Sequence, residues 1–213
     1  MSKDFQPANQ EICHGIPLRQ YWESKDRFGL ASANNIDWQA NHTAIKTLIV
    51  SRRHWVTKHV SGHCGTGKMM VRWKQRESDA CPRCNEPEDA SHIWLCKHPE
   101  SITVWRESIE TLRSWLIAQQ THPSITAIIC SRLLEWKTGI PYSPLDSSFL
   151  GLRATVALQD LVGWQAFLEG CPVLGWQETQ QRFYNWIGSR RTGARYQRPN
   201  TRPVLTRLSI SPS

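Results

Sequence analysis

No stretch of about 18 apolar residues occurs in the chain, which excludes a bilayer-spanning helix. The opening residues MSKDFQPANQ lack the apolar core of a secretory signal, and seven cysteines are an odd number. A reducing intracellular setting, nuclear or cytoplasmic, is therefore expected, in which thiols act as ligands or core fillers rather than bridges. Acidic residues are missing from two places. None follows Glu178, where seven arginines do (Arg182, Arg190, Arg191, Arg195, Arg198, Arg202 and Arg207), and none lies between Lys46 and Arg76, which holds eight Lys or Arg. Glu77 to Glu110 reverses the balance, with eight acids against three bases. Without the tail, 19 basic residues face 18 acidic ones, so the formal charge of +8 comes almost wholly from the end of the chain. Methionine is scarce, at three, while tryptophan reaches eleven. Indoles recurring with Leu and Ile at helical spacing are core anchors first. No carboxylate pair, Ser and His order or nucleophile elbow marks a catalytic centre, and no enzyme activity is expected.

The pattern predicts a mainly α fold: a small zinc-stapled turn and short helix packed on a helical body, with a disordered basic C-terminal tail. Residues 1–15 read as a flexible arm and 16–80 as N-terminal helices with a basic loop. Residues 81–98 form the zinc module, 99–188 the helical body and 189–213 the arginine-rich tail. Leu18, Tyr21 and Trp22 would share one side of a short helix. Asp37 caps a helix carrying Trp38, Ile45, Leu48, Ile49, Trp55 and Val56, which Gly62 stops. A loop follows, with a short strand or hairpin around Met69 to Trp73. Pro99 opens a helix with the stripe Ile102, Trp105, Ile109, Leu112 and Leu116. Thr121 and Pro123 cap and start another, with Ile125, Ile128, Ile129, Leu133 and Trp136 inward and Gly139 and Pro141 at its end. Ser147 or Ser148 caps the longest helix, Phe149 to Glu169, stopped by Gly170. A last helix runs from about Pro172 to Ile187.

The segment CPRCNEPEDASHIWLC is C-x2-C-x7-H-x3-C. Cys81 and Cys84 fit a tight turn that aims two sulfurs at one point, while His92 and Cys96, four apart, share a helical face. Glu88, Asp89 and Ser91 suit the first turn of that helix. Four N and S donors close a tetrahedron without an open position, so the expected cofactor is one structural Zn2+, with iron the weaker fit. His98 is an alternative to His92, but it lies two residues beyond Cys96 beside Pro99, off the helical face. Ordinary buried thiols with a packed histidine are the bland account.

Other candidates carry less. Gly62 to Met69, GHCGTGKM, falls one residue short of a phosphate loop, since methionine cannot hold Mg2+ where Ser or Thr should, and a helical pattern rather than a strand precedes it. His54, His59, His63 and Cys64 offer a second metal cluster without finger spacing; surface histidines are the duller reading. Cys130 and Cys171 fall in or beside apolar helix patterns and read as core filling.

Several pieces in order resemble the zinc-binding region downstream of the polymerase in reverse transcriptase proteins of retroelements of the non-LTR type. They are Ile36 to Trp38, Trp55 to Gly62, Gly65 to Lys68, Cys81 to Cys96, Thr121 to Pro123 and the later LQDLVGWQAFLEG. The resemblance implies zinc ligation by Cys81, Cys84, His92 and Cys96 in an accessory module for the element's nucleic acid. It also implies a piece separated from its polymerase, because the paired aspartates of a polymerase are absent. RNA or DNA is then the expected partner, through Arg52, Arg53, Lys58, Lys68, Arg72, Lys74 and Arg76 and the tail residues Arg190, Arg191, Arg195 and Arg198. Trp55 and Trp73 would serve as stacking faces. The alternative is a zinc-stapled scaffold that binds a protein partner, and the bland reading of the bases is solvated helix faces. A nuclease using the basic loop is the remote third. No membrane contact is expected.

Overall fold

The computed structural model describes residues 33–192, which are mainly helical; among them the only β pairings are two isolated bridges, Ile36 with Val173 and Ala80 with Pro87. No helix there is long and apolar enough to cross a membrane. The expected N-terminal arm, the helix bearing Leu18, Tyr21 and Trp22, and the tail residues Arg195 and Arg198 lie outside the described residues.

Helices α1 (Trp38–Thr47) and α2 (Val50–Val60) replace the single helix expected between Asp37 and Gly62. Leu48 and Ile49 are extended between them, and the Arg53 guanidinium donates to the carbonyls of Lys46 at 3.3 Å and Leu48 at 3.2 Å. At its start α1 is anchored to the far end of the chain: the Asp37 N–H donates to the Pro172 carbonyl (2.8 Å), and the Asn41 amide to that of Gly170 (2.6 Å). At its end α2 must deliver His59 to the Cys/His module. Asp37 does cap α1, accepting from the Ala40 N–H at 2.8 Å.

Met69 to Trp73 is no strand. Helix α3 (Gly67–Arg72) occupies it, followed by the one-turn α4 (His92–Leu95). Helices α5 (Pro99–Ala118) and α6 (Pro123–Thr138) form a hairpin joined through Gln120, whose φ is 55°. Each opens with a His-Pro pair, and in each the histidine is the cap: His98 Nδ1 accepts from the Glu100 N–H and His122 Nδ1 from the Ser124 N–H. Thr121, the expected cap, is one residue early. Trp105, Ile109, Leu112 and Leu116 of α5 are buried against Ile125, Ile128, Ile129, Cys130 and Leu133 of α6.

The long helix expected from Phe149 to Glu169 is divided. A 3-10 segment (Ser147–Leu152) leads into α7 (Arg153–Val162), and α8 (Trp164–Leu168) follows after Gly163. Gly163 has φ 92° and ψ 146°, a conformation closed to side-chain-bearing residues. The turn it permits drives Trp164 fully into the core, with its indole N–H on Asp160 at 2.7 Å. Helix α9 (Leu174–Thr192) runs past Ile187 into the segment read as disordered, so Arg190 and Arg191 lie on its last turn. Gln159, wholly buried on α7, joins these parts: its carbonyl accepts from the Val173 N–H and the Trp176 indole, both at 3.1 Å. Tyr184 and Gln180 of α9 bond the carbonyls of Gln119 and Gln120, closing α9 over the turn between α5 and α6.

Candidate metal centre

The local geometry of residues 80–96 follows from two short devices. Cys81 donates its N–H to the Glu86 carbonyl (2.7 Å) and Asn85 donates to Cys81 (2.9 Å), with Asn85 at φ 63°, a region that asparagine tolerates better than most residues. This knuckle points Sγ of Cys81 and Cys84 the same way. Five residues after Cys84, the Asp89 carboxylate accepts from the His92 N–H at 2.9 Å, starting α4, and Cys96 closes its end by donating to the His92 carbonyl at 2.7 Å. The ligand atoms of Cys81, Cys84, His92 and Cys96 consequently lie within 4.8 Å of one another, and Cys84 Sγ is 3.2 Å from His92 Nε2. His98 is not among them, being engaged as the cap of α5.

Electrostatics match a cation at the centre. Burial disfavours the Cys81 thiolate, but the N–H groups of Cys84 and Arg83, with His92 and Cys84, outweigh it and bring its pKa down to about 7. At Cys84 the Glu86 N–H favours the thiolate, yet desolvation and the Cys96 and Cys81 sulfurs beside it hold the thiol above its ordinary value. Sulfurs this crowded cannot all ionise without positive charge between them. Three thiols and an imidazole with convergent donors could hold a metal ion, and all four positions of a tetrahedron would then come from the protein.

Three residues that the sequence did not mark as partners seat this cluster. Glu88, expected in the first turn of α4, serves α3 instead: its carboxylate accepts from the Gly67 N–H (2.9 Å), its carbonyl from the Lys68 N–H (2.9 Å), and Arg76 pairs with it at 3.7 Å. The place where a phosphate loop would hold an anion is thus filled by a side chain of the protein. Lys137 of α6 donates to the carbonyls of Trp94 (2.5 Å) and Cys96 (2.8 Å). His59, 3% exposed, accepts from the Trp94 indole at 2.7 Å through Nε2 and stacks on Trp55, with ring centroids 5.2 Å apart. Its other nitrogen faces Cys64 Sγ at 3.7 Å. Of the histidines and Cys64 considered as a second cluster, only His59 and Cys64 meet: among the described residues one group alone meets the geometry for a metal, and His54 and His63 are exposed.

From Trp55 through His59, Trp94, Trp105 and Trp136, neighbouring rings stand 5.0 to 6.0 Å apart, a continuous aromatic path from α2 through the cluster to α6. Trp55 is thereby committed to internal packing. Cys130 and Cys171 are buried in the core. Among the basic positions, Arg53 and Arg76 are spent on internal carbonyls, Arg76 on that of Ala80 at 2.6 Å, whereas Arg52, Lys58, Lys68, Arg72 and Lys74 are exposed. Trp73 is 44% exposed beside the last two. No family model, no curated protein and no solved structure matches the chain.

Proposed function

We propose that the chain is a non-catalytic accessory module that binds nucleic acid, in which one structural Zn2+ on Cys81, Cys84, His92 and Cys96 holds a basic surface against a helical body. Zinc suits the donors because thiolate and imidazole are its usual partners and a closed tetrahedron leaves no position for substrate. With Zn–S bonds of about 2.3 Å, sulfurs in a tetrahedron stand roughly 3.8 Å apart, a contraction that the 4.8 Å spread allows. The observation that carries the partner is charge placement. Helices α1 to α3 contain no acidic residue, and five exposed bases stand on or beside α2 and α3, whose seat on the cluster is made by Glu88 and Arg76. Phosphates are the ligands that such a surface favours. Descent from the zinc-binding region of a retroelement reverse transcriptase protein accords with this reading.

A second reading, a scaffold for a protein partner, is favoured by Ile49 and Val50, adjacent at the joint of α1 and α2 and both exposed. The deciding experiment compares single-stranded RNA, single-stranded DNA and duplex in gel shift, with stoichiometric zinc and after chelation. Salt-sensitive binding that chelation or Cys84→Ser abolishes is expected. Absence of stoichiometric metal in purified protein overturns the zinc assignment, and absence of binding to any of the three probes turns the choice to the scaffold.

A further inference from the structure

Resting on that reading, we propose that the Trp73 and Lys74 turn at the end of α3 is a stacking point for single-stranded nucleic acid, with Lys68 and Arg72 receiving the adjoining phosphates.

Four observations converge there. The start of α3 cannot take a phosphate, because the Glu88 carboxylate already accepts from the Gly67 N–H at 2.9 Å; any anion must meet the helix through side chains. Lys68 and Arg72, both exposed, are four residues apart on that helix and therefore share a face. Trp73 leaves 44% of its surface in water, while Trp55, Trp94, Trp105 and Trp136 are engaged ring against ring. Lys74 has φ 58°, a left-handed conformation in which glycine or asparagine would be easier, and the Gln75 N–H closes the turn on the Met70 carbonyl at 2.9 Å. That closure is an ordinary helix end, and it places the exposed Lys74 directly after the exposed indole, so a cation and a stacking face occur together.

The turn is also rigidly backed. Arg76 just beyond it bonds the Ala80 carbonyl and pairs with Glu88, tying the turn to the segment that opens the Cys81 knuckle. Single strands are the fitting class because an indole can stack only on a base whose face is free, and duplex bases already cover one another. Indole stacking carries no base code, so the expected preference is for unpaired strands of any sequence.

The test uses the full zinc-loaded chain with oligouridylate, oligothymidylate and a duplex of equal length. Trp73→Ala is expected to weaken single-strand binding about tenfold with duplex binding little changed, and Trp73→Phe to retain most of the affinity. Lys74→Gly relieves the backbone and is expected to hold or raise Tm while weakening single-strand binding and flattening its salt slope by roughly 0.7. A purely structural turn gives the opposite for Lys74→Gly: higher stability with affinity unchanged. Overturning results are unaltered single-strand affinity in Trp73→Ala while Lys68→Ala and Arg72→Ala weaken binding, which leaves the accessory function standing, or equal loss on duplex and single strands. If the parent protein binds none of the probes, both readings fall together.

Discussion

The ammonium of Lys137, on α6, lies 2.8 Å from the carbonyl oxygen of Cys96, the last member of the Cys/His cluster, and 2.5 Å from that of Trp94. It caps the short helix α4 from outside, supplying a donor that the helix end lacks. Burial lowers the pKa of Lys137, while the Cys96 sulfur works against that trend. With three thiolates around a divalent ion the centre would carry net negative charge, and this lysine is the cation of the helical body that faces it.

Lys137→Met removes that cap and leaves two carbonyls without their donor. A loss of about 2 to 3 kcal/mol is expected in denaturant unfolding. An unchanged midpoint would show that the lysine is ornamental to the module's seat.

Gly67→Ala should destabilise although alanine is the better helix former. A Cβ at Gly67 would come within 2.4 Å of the Asp79 carbonyl oxygen and 2.8 Å of its carbon, both backbone atoms that cannot swing aside. The expected cost is about 2 kcal/mol. Gly151→Ala, where nothing lies within 4 Å, serves as the control and should be close to neutral in the same melt.

Gln159→Leu preserves bulk but strands the Val173 N–H and the Trp176 indole N–H in the core. About 3 kcal/mol of stability should be lost. Near-neutral behaviour would mean that water or a rearranged loop replaces the amide.

The stability of the turn between α5 and α6 should depend on pH through His122. Burial lowers its pKa, and its Nδ1 can accept from the Ser124 N–H only while unprotonated. The unfolded chain therefore binds the proton more readily, so stability is full above about pH 6.5 and falls as pH drops through the lowered native value. His122→Asn keeps an acceptor at the cap without a titrating group. Its Tm should decline less than the parent's below pH 6.5; parallel curves would remove His122 from the account.

How much could be read in advance depended on the range over which each interaction acts. The cluster was legible because its geometry is local: the turn between Cys81 and Cys84 and the helical step from His92 to Cys96 bring donors together within short segments. The stripes of α5 and α6 were legible for the same reason. The split of the helix expected from Phe149 to Glu169 was not, since Gly163 gives the same local signal whether it is tolerated in a helix or breaks one. The need to bury Trp164 settles the matter, and it arises only when α9 and α6 are in place.

The mainly helical class, the four convergent donors and the segregation of charge follow from periodicity, ligand spacing and composition, all of which act along the chain. The roles of the surrounding groups come from packing between distant segments. Glu88 reaches Gly67 across 21 residues, Trp94 reaches His59 across 35 and Lys137 reaches Trp94 across 43. Each is a polar group whose partner is named by burial rather than by proximity in the chain. Other contacts engage Trp55 on His59 and turn Arg53 and Arg76 to backbone carbonyls, while Trp73 remains 44% exposed. A buried donor or acceptor must find a partner wherever the packed core offers one, and no pattern of spacing records which it will be.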